Sequence, residues 1–153
     1  MRLVAFVFIL LLSSQLLAKP TANPCTEDLP KSFGHVLVDS IVGVYDGDTI
    51  RVRIEDWPPI VGEAIGVRVN GVDTPEIRGK CPEEKALARQ ARSFTRSAVT
   101  NAKSVELRNL RRDKYFRLLA DVCVDGLALS DLLMANGLAY RYEGGRKESW
   151  CGE

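Results

Sequence analysis

Two β-branched runs separated by a few small and polar residues open the patterned part of the chain. "GHVLVDSIVGVY" (34–45) is rich in Val and Ile and predicts a strand. "TIRVRI" (49–54) alternates apolar and polar positions, as a half-buried strand does. The "DGD" between them predicts a hairpin turn. "EDWPPIVGEAI" (55–65) holds two Pro and a Gly and predicts a loop, with Trp57 as a cover on the core. "GVRVNGV" (66–72) predicts a third strand, interrupted or bulged at Asn70 and Gly71. "DTPEIRGK" (73–80) is irregular, because Pro75 pushes Thr74 away from helical geometry.

The longest helical pattern is "CPEEKALARQARSFTRSAVTNAK" (81–103). Pro82 suits the first helical position, and Glu83 and Glu84 suit the positive end of the helix dipole. Leu87, Ala91, Phe94, Ala98 and Val99 recur at helical spacing and form the expected buried stripe. "SVELRNL" (104–110) and "YFRLLADVCV" (115–124) flank "RRDK" as a hairpin, and Asp125–Gly126 is a further turn. "LSDLLMANG" (129–137) reads as a short helix capped by Ser130 or a neighbour and ended by Gly137. The tail from Leu138 carries no pattern that assigns it. Three linked strands, a helix, two strands and a helix make a mixed α and β domain. That order fits a five-stranded OB-fold Greek-key barrel with two or three helices.

Composition adds compartment and charge. Residues 1–18 begin with a basic Arg2, continue as an apolar run from Leu3 to Leu12, and end in Ala18. That is the layout of a signal peptide, and the run is short of the roughly 20 residues a membrane span needs. Residues 19–34 read as an extended leader, and 35–153 as one domain with one core. A mature protein without stable membrane association, secreted or periplasmic and monomeric, is expected. A single His and no CxxC argue against a zinc site. Net charge is only +1, yet the stretch from Arg68 to Arg117 holds 13 Lys or Arg against 6 Asp or Glu. A basic middle on a near-neutral chain points to a polyanion.

The candidate chemistry starts at "DGDT" (46–49). A tight turn explains one Asp and the Gly but does not need Asp48. Asp73 and Glu76 in the next irregular segment, Arg68 before them, and Arg117 beside Lys114 and Tyr115 supply its partners. Carboxylates and a backbone carbonyl suit Ca²⁺ or Mg²⁺. Another carboxylate can orient or activate a water, and arginine forks match phosphate oxygens.

On "DGDT", "VRVNGVDTPE" (67–76), "DKYFR" (113–117) and "ANGLA" (135–139), the chain resembles the staphylococcal (micrococcal) nuclease or thermonuclease family, especially its secreted bacterial members. The resemblance runs from Val36 to Tyr142. It implies an OB-fold barrel that cleaves DNA and RNA with Ca²⁺ and leaves 3′-phosphates. Asp48, Asp73 and the Thr74 carbonyl match the family's metal ligands. Glu76 matches the residue that hydrogen-bonds the attacking water, and Arg68 and Arg117 match the pair that grips the scissile phosphate. Lys114 and Tyr115 match residues near the neighbouring phosphate, and Asp46 matches an outer acid of the metal site. The chain departs from the staphylococcal enzyme in its longer 55–65 loop, in Phe116 where that enzyme has Gly, in the shorter "IRGKCPEEK" segment and in its cysteines. Two rivals stand beside the nuclease reading: a non-catalytic OB-fold module that binds nucleic acid or protein, and a Ca²⁺-stabilised structural domain. Neither needs the full set of acids and arginines.

Four cysteines allow three full pairings, and spacing alone does not choose. Position favours Cys81–Cys151, which would clip the tail beside the active-site face. Cys25–Cys123 is the weaker second expectation, beside a free Cys25 with Cys123 as a small buried hydrophobe in its strand.

Overall fold

The structure, a computed structural model, describes residues 23–28 and 31–152. Residues 1–18, expected to be a signal peptide, and residues 19–22, 29 and 30 of the expected leader lie outside the described residues. The elements run β1 (Val36–Leu37), β2 (Ser40–Asp46), β3 (Thr49–Arg53), α1 (Pro59–Gly62), β4 (Ile65–Val69), β5 (Val72–Asp73), α2 (Pro82–Asn101), β6 (Val105–Arg112), β7 (Leu118–Val124), β8 (Leu127–Ala128), α3 (Leu129–Ala135) and β9 (Tyr140–Arg141).

The main sheet has the order β1-β6-β7-β4-β3-β2, with β8 added on β7. Its two outer members are consecutive in sequence, and this closes the barrel. Val38 donates its N–H to the Val105 carbonyl at 2.9 Å on one edge, and Asp39 donates to the Arg53 carbonyl at 3.0 Å on the other. β1 and β2 are thus two halves of one bent strand. Five barrel strands result, in which β4 and β7 run parallel and the other neighbours antiparallel. This is the OB-type Greek key that the element order predicts.

The alternation in "TIRVRI" is realised literally. Ile50, Val52 and Ile54 are buried while Arg51 and Arg53 are exposed. With Val67, Val69, Leu107 and Val122 they fill the barrel, and Leu129 and Leu133 of α3 pack onto the same core. Trp57 covers its edge, as expected. Among the described residues no helix is long and apolar enough to cross a membrane.

Local differences from the sequence reading have physical causes. The 55–65 loop holds the one-turn α1, started by Pro59. The hairpin strand begins at Leu118, not Tyr115, because Tyr115 (φ 58°) and Phe116 (φ 57°) are left-handed and leave the extended strand conformation. α3 is preceded by Ala128 with no side-chain cap, so Ser130 lies inside its first turn, while Gly137 (φ 67°) ends it as expected. On α2 the buried line is Glu84, Ala88, Ala91, Thr95 and Val99, with Leu87, Phe94 and Ala98 packed at its side. Small residues hold that line because the helix lies directly on the 46–49 turn. A Cβ on Gly47 would come within 2.8 Å of Ala91 Cβ and of Thr74 Cγ2. Close approach therefore requires this glycine.

Both disulfides expected from the sequence are present, Cys25–Cys123 (Cα–Cα 5.7 Å) and Cys81–Cys151 (Cα–Cα 6.0 Å).

Candidate active site

Asp48 is the second residue of the two-residue loop between β2 and β3, whose strands pair at Asp46 and Thr49. α2 fixes that loop from behind. The Thr95 hydroxyl donates to the Gly47 carbonyl at 2.6 Å, and Arg92 Nε donates to the Val44 carbonyl at 3.0 Å. Asp48 is only 2 % exposed, and three groups satisfy its carboxylate. Arg68 Nη1 donates to Oδ1 at 2.8 Å, the Thr49 hydroxyl donates to Oδ1 at 3.0 Å, and the Thr74 N–H donates to Oδ2 at 3.2 Å.

Arg68 comes from β4, whose pairing with β3 sets it opposite Thr49. Its second guanidinium nitrogen reaches the Val72 carbonyl at 3.1 Å and Asp73 Oδ1 at 3.4 Å. Asp73 ends β5, a strand that leaves the barrel after Gly71 and pairs with β9 instead. Arg68 thus forks between the two most buried acids of the predicted set. Burial lowers its proton affinity, but Asp48 and Asp73 more than offset this, so its pKa is raised.

Asp46 is buried as well and accepts the Asp48 N–H at 3.3 Å. Burial first, then the Asp48 charge, pushes its carboxyl up to about 7. Glu76 follows Pro75 on the segment after β5 and is exposed. Asp48, Asp73 and Glu76 do not bring one oxygen each within 4.8 Å of one another. The Arg68 guanidinium bridges the first two, and the Lys147 ammonium bridges the last two, at 2.7 Å from Asp73 Oδ1 and 3.1 Å from Glu76 Oε1.

Arg117, at the foot of β7, lies over Gly66 on the same face of β4 as Arg68. Asp113 holds it, at 2.9 Å from Nε and 2.7 Å from Nη2, and also lies close enough to raise the pKa of Arg68. Arg117 is not bonded to Asp48, Asp73 or Glu76. Lys114 and Tyr115 stand exposed at the hairpin tip, with the Tyr115 ring 5.8 Å from the Arg117 guanidinium carbon. Two grooves meet the arginines. One, of about 620 Å³, takes in Arg68, Val72, Asp113, Leu119 and Tyr142. The other, of about 750 Å³, takes in Arg117, Arg51, Tyr45, Ile60, Tyr115 and Phe116.

The profile of staphylococcal nuclease homologues matches residues 66–150. The chain belongs to the staphylococcal nuclease family. It is 36% identical over 118 residues to endonuclease YncB of Bacillus subtilis, across 74% of this chain and 52% of that protein. It is 36% identical over 103 residues to the SPbeta prophage-derived endonuclease YokF of the same organism, across 64% and 33%. To the thermonuclease of Staphylococcus hyicus it is 32% identical over 100 residues, across 65% and 56%. The matched part therefore spans between a third and just over half of these relatives.

Three residues beside this cluster were not foreseen. Glu84, buried on the first turn of α2, accepts the N–H groups of Glu76 (3.3 Å) and Lys80 (2.7 Å) and so shapes the segment that carries Glu76. Thr95 is the second. Lys147 is the third, delivered by the tail that the sequence pattern left unassigned. A buried Glu three residues past an N-terminal cap is also what ordinary helix capping gives, so Glu84 carried no separate signal. Tyr140, in the same tail region, stacks on Trp150 with centroids 3.9 Å apart.

Proposed function

We propose that the protein is a Ca²⁺-dependent nuclease that hydrolyses phosphodiester bonds of DNA and RNA by in-line attack of water and leaves 3′-phosphates. The observation that carries the reading is the Arg68 fork between buried Asp48 and Asp73, in a chain of the staphylococcal nuclease family.

The donor chemistry fits a hard divalent cation. Asp48, Asp73 and Glu76 supply carboxylate oxygens, and among the described residues Arg68 and Lys147 are the cations that form ion pairs with them. Asp48, Asp73 and the Thr74 carbonyl would hold Ca²⁺, whose looser geometry suits such a set better than octahedral Mg²⁺ does. When bound, the ion supplies Lewis-acid neutralisation of a phosphoryl oxygen.

The chain's own groups do the rest. Arg68 and Arg117 bind the scissile phosphate and meet the charge that grows in the transition state. Each such donor is worth on the order of 10²–10³ in rate. Glu76 hydrogen-bonds the attacking water. Asp46 supports Asp48 through its N–H. Lys114 and Tyr115 receive the neighbouring nucleotide. The exposed rings of Tyr45, Tyr115 and Phe116 in the groove beside Arg117 offer π-faces on which unpaired bases stack. Two disulfides suit an oxidising compartment, which supports export through residues 1–18 and a secreted or periplasmic location.

The test is incubation of purified protein with single-stranded DNA, duplex DNA and RNA across a Ca²⁺ titration and in chelator, with product ends identified. Cleavage that needs Ca²⁺, is poorly supported by Mg²⁺ and leaves 3′-phosphates is expected. Retention of nucleic acid without cleavage would favour the non-catalytic OB-fold module. Full activity in chelator would remove the metal from the account.

A further inference from the structure

The tail after β9 is fastened at three separate points. β9 pairs with β5, setting Val72 opposite Arg141 and Asp73 opposite Tyr140. Trp150 lies flat on Tyr140, with an interplanar angle of 18°. Cys151 is bonded to Cys81, the residue that caps α2. Between these points the chain passes the acidic cluster, and Gly144 (φ 101°) and Gly145 (φ 92°) give it the turn that brings it back. Lys147 is the residue left over the cluster. Its ammonium takes Asp73 Oδ1 and Glu76 Oε1 together, and these hydrogen bonds and charges raise its pKa although burial works against them.

We propose that Lys147 is a built-in competitor for the metal and that the Cys81–Cys151 strap sets its local concentration at the site. The inference rests on the reading of Asp48 and Asp73 as metal ligands. One of the oxygens that the ammonium occupies, Asp73 Oδ1 at 2.7 Å, belongs to the group that a divalent cation would need, and the same ammonium holds Glu76 Oε1 at 3.1 Å. A cation entering the cluster must displace the ammonium from Asp73. The Lys147 side chain is 43% exposed, so water is ready to receive it. Affinity for Ca²⁺ is thereby set by the tail as well as by the barrel. The strap makes that contribution large, because a tethered group binds as an intramolecular ligand at high effective concentration. Lys147 is a positioning residue in this account, acting through the carboxylates.

Isothermal titration of the full-length exported protein with Ca²⁺, in the absence of nucleic acid, tests the proposal. Four proteins are compared: parent, Lys147→Gln, Lys147→Arg, and the double variant Cys81→Ser with Cys151→Ser, which leaves Cys25–Cys123 intact. Lys147→Gln is expected to bind Ca²⁺ about twofold to fivefold more tightly, the scale of a part-exposed ion pair. Lys147→Arg, which keeps the charge, should stay near the parent. The double-serine variant should move toward Lys147→Gln. Ca²⁺ bound equally or less tightly by Lys147→Gln overturns the competitor. A double-serine variant with parental affinity overturns the strap. Absence of Ca²⁺ binding in all four proteins overturns the metal reading itself.

Discussion

Asp46 shows what burial in the 46–49 turn does to an acid. Its carboxyl is raised to about 7 from 3.8, by burial first and by the Asp48 charge second. An acid whose folded-state pKa is raised holds its proton more tightly in the native state. The unfolded chain ionises first, so native stability falls as pH rises from about 4 to about 7 and then levels. In metal-free protein the loss from this group should reach at most about 4 kcal/mol. Urea unfolding from pH 4 to 8 should give curves for parent and Asp46→Asn that converge at low pH and separate above pH 5, the variant being the more stable. Parallel curves would show that Asp46 is not so perturbed. At this scale the sequence was informative where a residue broke a local rule. Asp48 stood where a strand should start, and Arg68, Asp73 and Glu76 clustered around an irregular segment. Lys147 broke no rule, since a lysine in a Gly-rich tail looks like an ordinary solvated one, and its role exists only through contacts 71 residues away.

At the level of elements, α2 is the platform of the site. It carries Thr95 to the Gly47 carbonyl and Glu84 to the N–H groups of Glu76 and Lys80. Replacing Thr95 by Val keeps the shape but leaves the Gly47 carbonyl buried without that donor, at a cost of about 1–3 kcal/mol. Asp48 is the next residue, so Ca²⁺ affinity should weaken along with stability. Thermal unfolding and calorimetry on Thr95→Val check both, and a variant with parental stability and affinity would contradict the platform role. The strands were legible because half-buried sheets write their alternation into sequence, as Ile50, Val52 and Ile54 do. The face of α2 was legible only to within one side. Thr95 is buried because its hydroxyl meets the Gly47 carbonyl, and a hydrophobic stripe gives no weight to a polar position.

For the whole molecule, the barrel closes through a single bent strand, and the covalent links act outside it. Cys25–Cys123 ties the leader to β7 and closes a loop with a sequence separation of 98. Replacing both cysteines by Ser should lower stability to urea by about 2–4 kcal/mol while cleavage persists, since neither lies at the acidic cluster. A loss below about 1 kcal/mol would mean that the leader's other contacts, such as Arg108 to Asp28 at 2.9 Å, suffice. The OB topology followed from element order alone, whereas the path of the tail depended on β9 finding β5, a pairing of two residues on each side that no pattern announces. The central claim is that Asp48, Asp73 and Arg68 form one metal-dependent phosphodiesterase centre. Single-turnover cleavage of labelled single-stranded DNA, across a Ca²⁺ titration, tests it most directly when parent is compared with Arg68→Lys. The account predicts a loss of at least about 10²-fold at saturating Ca²⁺ in a variant that keeps its circular dichroism, because Lys cannot reproduce the fork on phosphate. Near-parental turnover by folded Arg68→Lys would contradict it.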